Sequence, residues 1–206
     1  MAVKKPGETS YKETAFGIIS RTKLIPLEIE GIKKAWDFVL DQRKQGNLPI
    51  TPIFLKKLHQ VGFGWIFPKT AGKFRVIEVI VSEHTPPKFY LVPEIIENFC
   101  KDTKARMKHL PKIDEPNFLE ELIKLMAWAH HRFLWVHPFQ DYNGRIARLF
   151  NNIILLNLNL PPFELKVETK LGRKKYIEAL QAADKGNYFL LEGIIKKAIE
   201  ESAQKV

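Results

Sequence analysis

Residues 144–158 carry apolar side chains on nearly every face that a helix would present, from Ile146 and Ala147 through Leu149, Phe150, Ile153, Ile154, Leu155 and Leu156. A helix apolar all round must be enclosed by other elements or by lipid. Asn151, Asn152, Asn157 and Asn159 interrupt the run, and Leu160-Pro161-Pro162 ends it, so it is too short and too polar for a bilayer. The chain must therefore wrap further helices around this one.

The sequence supplies them. Glu28–Leu40 places Ile29, Ile32, Trp36 and Val39 at helical spacing, and Gly46-Asn47 breaks the pattern. Thr51-Pro52 offers an N-cap followed by proline at the first helical position, predicting a helix through His59. Pro93 opens another, reaching about Leu110, and residues 111–117 link it to the next. Phe118–Val136 is strongly periodic, with Leu119, Leu122, Ile123, Met126, His130 and Phe133 on one stripe. Residues 174–183 and 189–202 form the last two helices. Phe74–Val81 is β-branched and partly alternating, with a turn cluster over 82–87, and is expected to be the one small β-hairpin. Residues 1–20 are polar and aperiodic, and are expected to form a loose arm. The fold class is mainly α, divided into an N-terminal arm with a helix over 1–48 and a core domain over 49–206.

With 206 residues the chain can bury a sizeable core. One cysteine, Cys100, excludes an internal disulfide and a Cys-rich zinc site, and its place on an apolar stripe predicts a buried thiol. No apolar run follows the charged start, so no secretory signal is expected, and a soluble cytoplasmic protein with no membrane partner is. The net charge of +10 is spread in lysine pairs along the chain, as on solvated helix faces. Nucleic acid is not an expected partner, and a basic nucleotide- or DNA-binding module is the rival reading to an enzyme.

The chemistry gathers between the two strongest helices, in His137-Pro138-Phe139-Gln140-Asp141-Tyr142-Asn143-Gly144-Arg145-Ile146-Ala147-Arg148. This loop runs into a helix N-terminus, where unpaired N–H groups and the helix dipole receive an anion. Asn143-Gly144 permits a tight turn and close ligand approach. Arg145 and Arg148, three apart, share a face from which both guanidinium forks could reach one polyphosphate. Asp141 is the hard oxygen ligand that magnesium uses beside phosphates. His137 titrates near neutrality and is the natural general base. Together they point to transfer chemistry on a nucleotide phosphate. His130 and His131 point about 100° apart on a helix and do not share a metal with His137. Gly62-Phe63-Gly64 lacks a strand–loop–helix setting and reads as a turn against the core.

This stretch resembles the Fic signature His-x-Phe-x-(Asp/Glu)-Gly-Asn-Gly-Arg-x-x-Arg, departing at Tyr142, where the family usually has glycine. Residues 129–136 resemble the helix before the motif. Residues 71–93, with His84-Thr85-Pro86-Pro87, resemble the flap hairpin, and residues 176–190 the closing segment. The resemblance implies a protein adenylyltransferase moving AMP from ATP to a Ser, Thr or Tyr hydroxyl of a target protein with Mg2+.

 

The enzyme implied is thus a bacterial nucleotidyltransferase with ATP as its substrate. Carried onto this sequence, His137 deprotonates the target hydroxyl and Asp141 holds the metal. Asn143, Gly144 and the backbone N–H of Tyr142 surround the phosphates, Arg145 meets the β-phosphate region and Arg148 the γ-phosphate. Phe139 anchors the loop. The bulky Tyr142 is expected to narrow the nucleotide pocket or leave it unchanged. The flap residues Val76, Ile77, Glu78, Val79 and Ile80 would dock a target segment by main-chain pairing. The same fold could instead transfer another phosphate-containing group or remove AMP.

Ile29-Glu30-Gly31 resembles the second half of the family's inhibitory motif (Ser/Thr)-x-x-x-Glu-(Gly/Asn), with Pro26 at the Ser/Thr position. The implied role of Glu30 is autoinhibition through Arg148. Glu192-Gly193, with Tyr188 in the Ser/Thr position, is a second and weaker match in the closing helix. If neither acts, an antitoxin-like chain would supply the glutamate. A homodimer is left open.

Overall fold

The computed structural model describes residues 11–81, 84–167 and 169–204. Residues 1–10 of the expected arm, and Ser82 and Glu83 of the expected turn, lie outside them. Among the described residues are seven α-helices: α1 (Arg21–Lys44), α2 (Pro52–Phe63), α3 (Val92–Lys108), α4 (Phe118–Val136), α5 (Asn143–Asn157), α6 (Lys170–Asp184) and α7 (Phe189–Ala203). A two-stranded antiparallel sheet pairs β1 (Tyr11–Thr14) with β2 (Gly17–Ser20). The mainly α class with one small hairpin holds, and no helix among the described residues is long and apolar enough to cross a membrane.

α5 is the enclosed helix, with no residue of it exposed. It packs on α4, α1 and α2, while α4 also meets α3, α6 and α7. Phe99, Phe133 and Phe150 meet between α3, α4 and α5, with Phe150 5.1 Å from the Phe99 ring and 6.4 Å from that of Phe133. Thr51 caps α2 as its sequence predicts, its hydroxyl accepting from the Phe54 N–H at 3.2 Å. Cys100 is buried, and burial pushes its thiol up to about 12.

Two expectations are corrected. The hairpin is not Phe74–Val81 but Tyr11–Ser20, inside the segment expected to be a loose arm. Its two-residue turn, Ala15-Phe16, is followed by Gly17 at φ +84°, a conformation open to glycine. The Ala15 N–H bonds the Ile66 carbonyl at 2.9 Å, and Phe16 meets Trp65 edge-on, so the hairpin is tied to the core. Residues 74–81 and 84–87 form an irregular flap, its two sides joined by an antiparallel bridge between Val81 and His84.

The second correction concerns α1. It starts seven residues earlier than Glu28, contains Pro26, and buries Leu24, Glu28, Gly31, Ala35 and Val39. Ile29, expected on the apolar stripe, is 65% exposed. The small residues set this rotation. A Cβ on Gly31 would lie 2.4 Å from the Gly62 carbonyl oxygen, so α1 and α2 cross closely there and turn Glu28 inward.

Candidate functional site

α4 ends at His137, whose N–H bonds the Phe133 carbonyl at 3.1 Å and whose backbone is left-handed at φ 50°. Such a conformation costs a side-chain-bearing residue about 1–2 kcal/mol, and it swings the chain into the loop. Phe139 then buries its ring against His59, 4.0 Å away. The Asn143 side chain closes the loop on itself, accepting from the Phe139 N–H at 2.9 Å and donating to its carbonyl at 2.8 Å. α5 begins directly after Tyr142, whose carbonyl accepts from the N–H groups of Arg145 and Ile146. The first-turn N–H groups of Asn143 and Gly144 have no helical carbonyl ahead of them. A Cβ on Gly144 would meet nothing nearer than Arg148 Nη1, at 3.8 Å. Room is therefore left over the helix N-terminus, beside a guanidinium.

Burial is the chief cause that pushes the His137 ring down to about 4, helped by Arg75 and His84, while the nearby Leu134 carbonyl and Asp141 favour its protonated form. Its Nδ1 is buried with no hydrogen-bond partner. Burial thus favours the neutral ring at pH 7, which keeps one nitrogen able to take a proton. Asp141 is exposed. Its Oδ1 accepts from the Tyr142 N–H at 2.7 Å, and its Oδ2 is paired with the Lys12 ammonium of β1. No group of three His, Cys, Asp or Glu side chains that could hold a metal is present among the described residues. One outward carboxylate already drawing a cation suits magnesium, which takes one or two carboxylates and completes its shell with phosphates and water.

Tyr142 does not line the loop with its ring. Its backbone is left-handed at φ 63°, and the ring lies stacked on Phe63 with centroids 4.0 Å apart, 9% exposed. Its hydroxyl donates to Glu28 at 2.9 Å. Arg145 Nη2 donates to the other Glu28 oxygen at 2.7 Å, and Arg21 pairs with Glu28 as well. Glu30, by contrast, is exposed on α1. The carboxylate that α1 delivers to the motif is Glu28.

Three further residues, none of them expected as a site residue, shape the loop. Arg75 is buried and reaches across the base of the flap. Its Nε donates to the His137 carbonyl at 2.9 Å, Nη1 to Ile77 at 3.0 Å, and Nη2 to Pro87, while its N–H bonds the Pro138 carbonyl at 2.8 Å. His59 donates from Nε2 to the Asp141 carbonyl at 3.1 Å and accepts at Nδ1 from the Gly72 N–H at 3.0 Å, which fixes its tautomer. His84 bonds the Trp135 carbonyl at 2.9 Å and pins the flap tip to α4. Val76 and Ile80 of the flap are about three-quarters exposed, at 76% and 78%. His130 and His131 face different partners, Tyr176 at 2.5 Å and Asp184 at 2.9 Å. A cleft of about 490 Å³ among α3, α4 and the α6–α7 connection is lined by Trp128, Trp135, His131, Asp184 and Tyr188 and includes none of residues 137–148.

These features define a helical domain built around a loop that opens onto an anion-receiving helix. The Fic/DOC family matches residues 49–155, more than half of the chain. A protein adenylyltransferase Fic of Nematostella vectensis is 31% identical over 175 residues, covering 85% of this chain and 38% of its own length. Protein adenylyltransferase fic-1 of Caenorhabditis elegans is 32% identical over 149 residues, covering 72% and 27%. The chain thus spans about a third of the length of these curated relatives. Among solved structures, Fic-1 (residues 134–508) of C. elegans superposes with a TM-score of 0.68 at 28% identity, covering 86% of this chain and 49% of that one. The BepC protein of Bartonella tribocorum, solved with bound AMPPNP, gives 0.68 at 18% identity and covers 94% of each. The chain belongs to the Fic/DOC family.

Proposed function

We propose that the protein transfers AMP from ATP to a hydroxyl side chain of a target protein. The observation that carries this reading is the room over Gly144, at the first turn of α5, bordered by Arg148 and beside the helix N-terminus. His137, neutral at pH 7, takes the proton of the target hydroxyl as its oxygen bonds to the α-phosphorus. The bond to the bridging oxygen breaks, and pyrophosphate leaves. Asp141 would hold a magnesium ion, which supplies charge neutralisation to the phosphates. Arg145 and Arg148 would meet the β- and γ-phosphates. The exposed, irregular flap over Val76–Ile80 offers backbone groups on which a target segment can pair. The relatives named protein adenylyltransferase support this chemistry.

The test is incubation of the full chain and an acceptor with ATP labelled at either the α or the γ position, and with GTP, UTP and CDP-choline in parallel. Label from α-labelled ATP alone should become covalently attached. Transfer of the γ label, or transfer from CDP-choline in place of ATP, would overturn the reading.

Braking by Glu30 is a separate proposal, resting on the Ile29-Glu30-Gly31 resemblance. It requires the exposed carboxylate to reach Arg148. Glu30→Gly should then raise self-labelling about tenfold, the scale of recovered in-line geometry. Equal labelling by wild type and variant would remove it.

A further inference from the structure

We infer that Glu28 is a positioning residue for the phosphate site, holding Arg145 and the Tyr142 loop from helix α1. This rests on the reading of the α5 N-terminus as a nucleotide-phosphate site.

Glu28 is fully buried, and a buried carboxylate persists only where cations and donors satisfy it. Its two oxygens are shared among Arg21, Arg145 and the Tyr142 hydroxyl. Burial, with the Glu28 carboxylate beside it, pushes the Tyr142 phenol up, so it stays a neutral donor. Two guanidiniums of like charge are thus held around one anion, and loss of that anion would drive them apart.

The way Arg145 is held favours orientation over occlusion. Only its Nη2 is committed to Glu28, while its Nη1 is buried without a partner. A guanidinium carries five N–H donors in a rigid plane, so fixing one nitrogen fixes the direction of the others. The fork therefore keeps donors for a phosphate while Glu28 sets its plane. Tyr142 belongs to the same arrangement. A glycine at this position could make neither the Phe63 stack nor the bond to Glu28. Here the left-handed backbone of Tyr142, at the entry to α5, is held by both.

The test measures ATP and ADP affinity by calorimetry on the full chain, with turnover and thermal midpoint recorded for each variant. Glu28→Gln, which keeps the shape and loses the charge, should weaken ADP and ATP binding about tenfold, with turnover at saturating ATP falling by less. Tyr142→Phe keeps the ring stack and should show a smaller loss in the same direction. In an Arg145→Ala background Glu28→Gln should produce no further loss, because the effect passes through Arg145. A lowered midpoint with unchanged affinity would make Glu28 structural only and overturn the proposal. A gain in affinity or transfer would overturn it too, by making Glu28 a competitor for Arg145. If Glu28→Gln fails to fold, Tyr142→Phe and Arg21→Gln carry the same comparison. Coupled losses of nucleotide affinity in a wild type that transfers no AMP would defeat the transfer reading and leave the positioning role standing. Absence of nucleotide binding by wild type would defeat both.

Discussion

Tyr142 replaces the glycine expected where the loop must turn left-handed, and three contacts offset the strain. The backbone conformation costs about 1–2 kcal/mol relative to glycine. Against this stand the Phe63 stack, the Glu28 hydrogen bond and nearly complete burial of the ring. Removing a buried aromatic side chain costs about 3–5 kcal/mol, more than the relieved strain. Tyr142→Gly should therefore destabilise the fold by about 2 kcal/mol, read as a lower urea midpoint, although it restores the usual motif. An unchanged or raised midpoint would mean that the ring contributes little. Glu28 was out of reach of sequence reasoning for a related cause. The apolar residues Ile29 and Ile32 suggested one face of α1, whereas Gly31 and Ala35 form the tight seam with α2 and bring Glu28 in with them. The spacing of Leu24, Glu28, Gly31, Ala35 and Val39 was the available signal, but small residues weigh little in a hydrophobic pattern.

At the scale of elements, α4 and α5 were legible because periodicity and all-round apolarity are strong signals, and their junction carried the motif. Thr51-Pro52 marked the start of α2 by capping chemistry. The β elements were not legible. Phe74–Val81 has strand composition, yet Arg75 spends its donors on Val136, His137, Ile77 and Pro87 and holds the segment as a flap. The true hairpin, Tyr11–Ser20, has strands of only four residues and depends on contacts with Ile66 and Trp65 that local sequence does not encode. It also brings Lys12 onto Asp141, the carboxylate proposed for magnesium. The ammonium and a metal ion would compete for the same oxygen. Lys12→Ala should lower the Mn2+ concentration for half-saturation of the ADP-bound protein, followed by electron paramagnetic resonance. The change should stay within about fivefold, since both side chains are partly exposed and such pairs are worth about 0.2–1 kcal/mol. Identical Mn2+ binding by the two proteins would show that Lys12 yields Asp141 without cost.

For the whole molecule, three histidines tie the loop and the core to pH. Burial pushes His59 down to about 4, His130 to about 3 and His137 to about 4. The unfolded chain takes up these protons near pH 6.5, and the folded one does so only well below it. Stability is thus fully present above pH 6.5 and is lost as pH falls from there toward 4, by several kcal/mol in all. Urea midpoints taken from pH 7.5 to 4.5 should fall steadily across that window, and a flat profile would contradict the buried, neutral state of these rings. The same neutral state is what the transfer reading needs of His137. The most direct measurement is transfer from α-labelled ATP by wild type and His137→Ala at equal nucleotide occupancy. Loss of the base should lower transfer by about 10²–10⁴-fold while ATP affinity stays nearly unchanged. Transfer by His137→Ala at the wild-type rate would contradict the account.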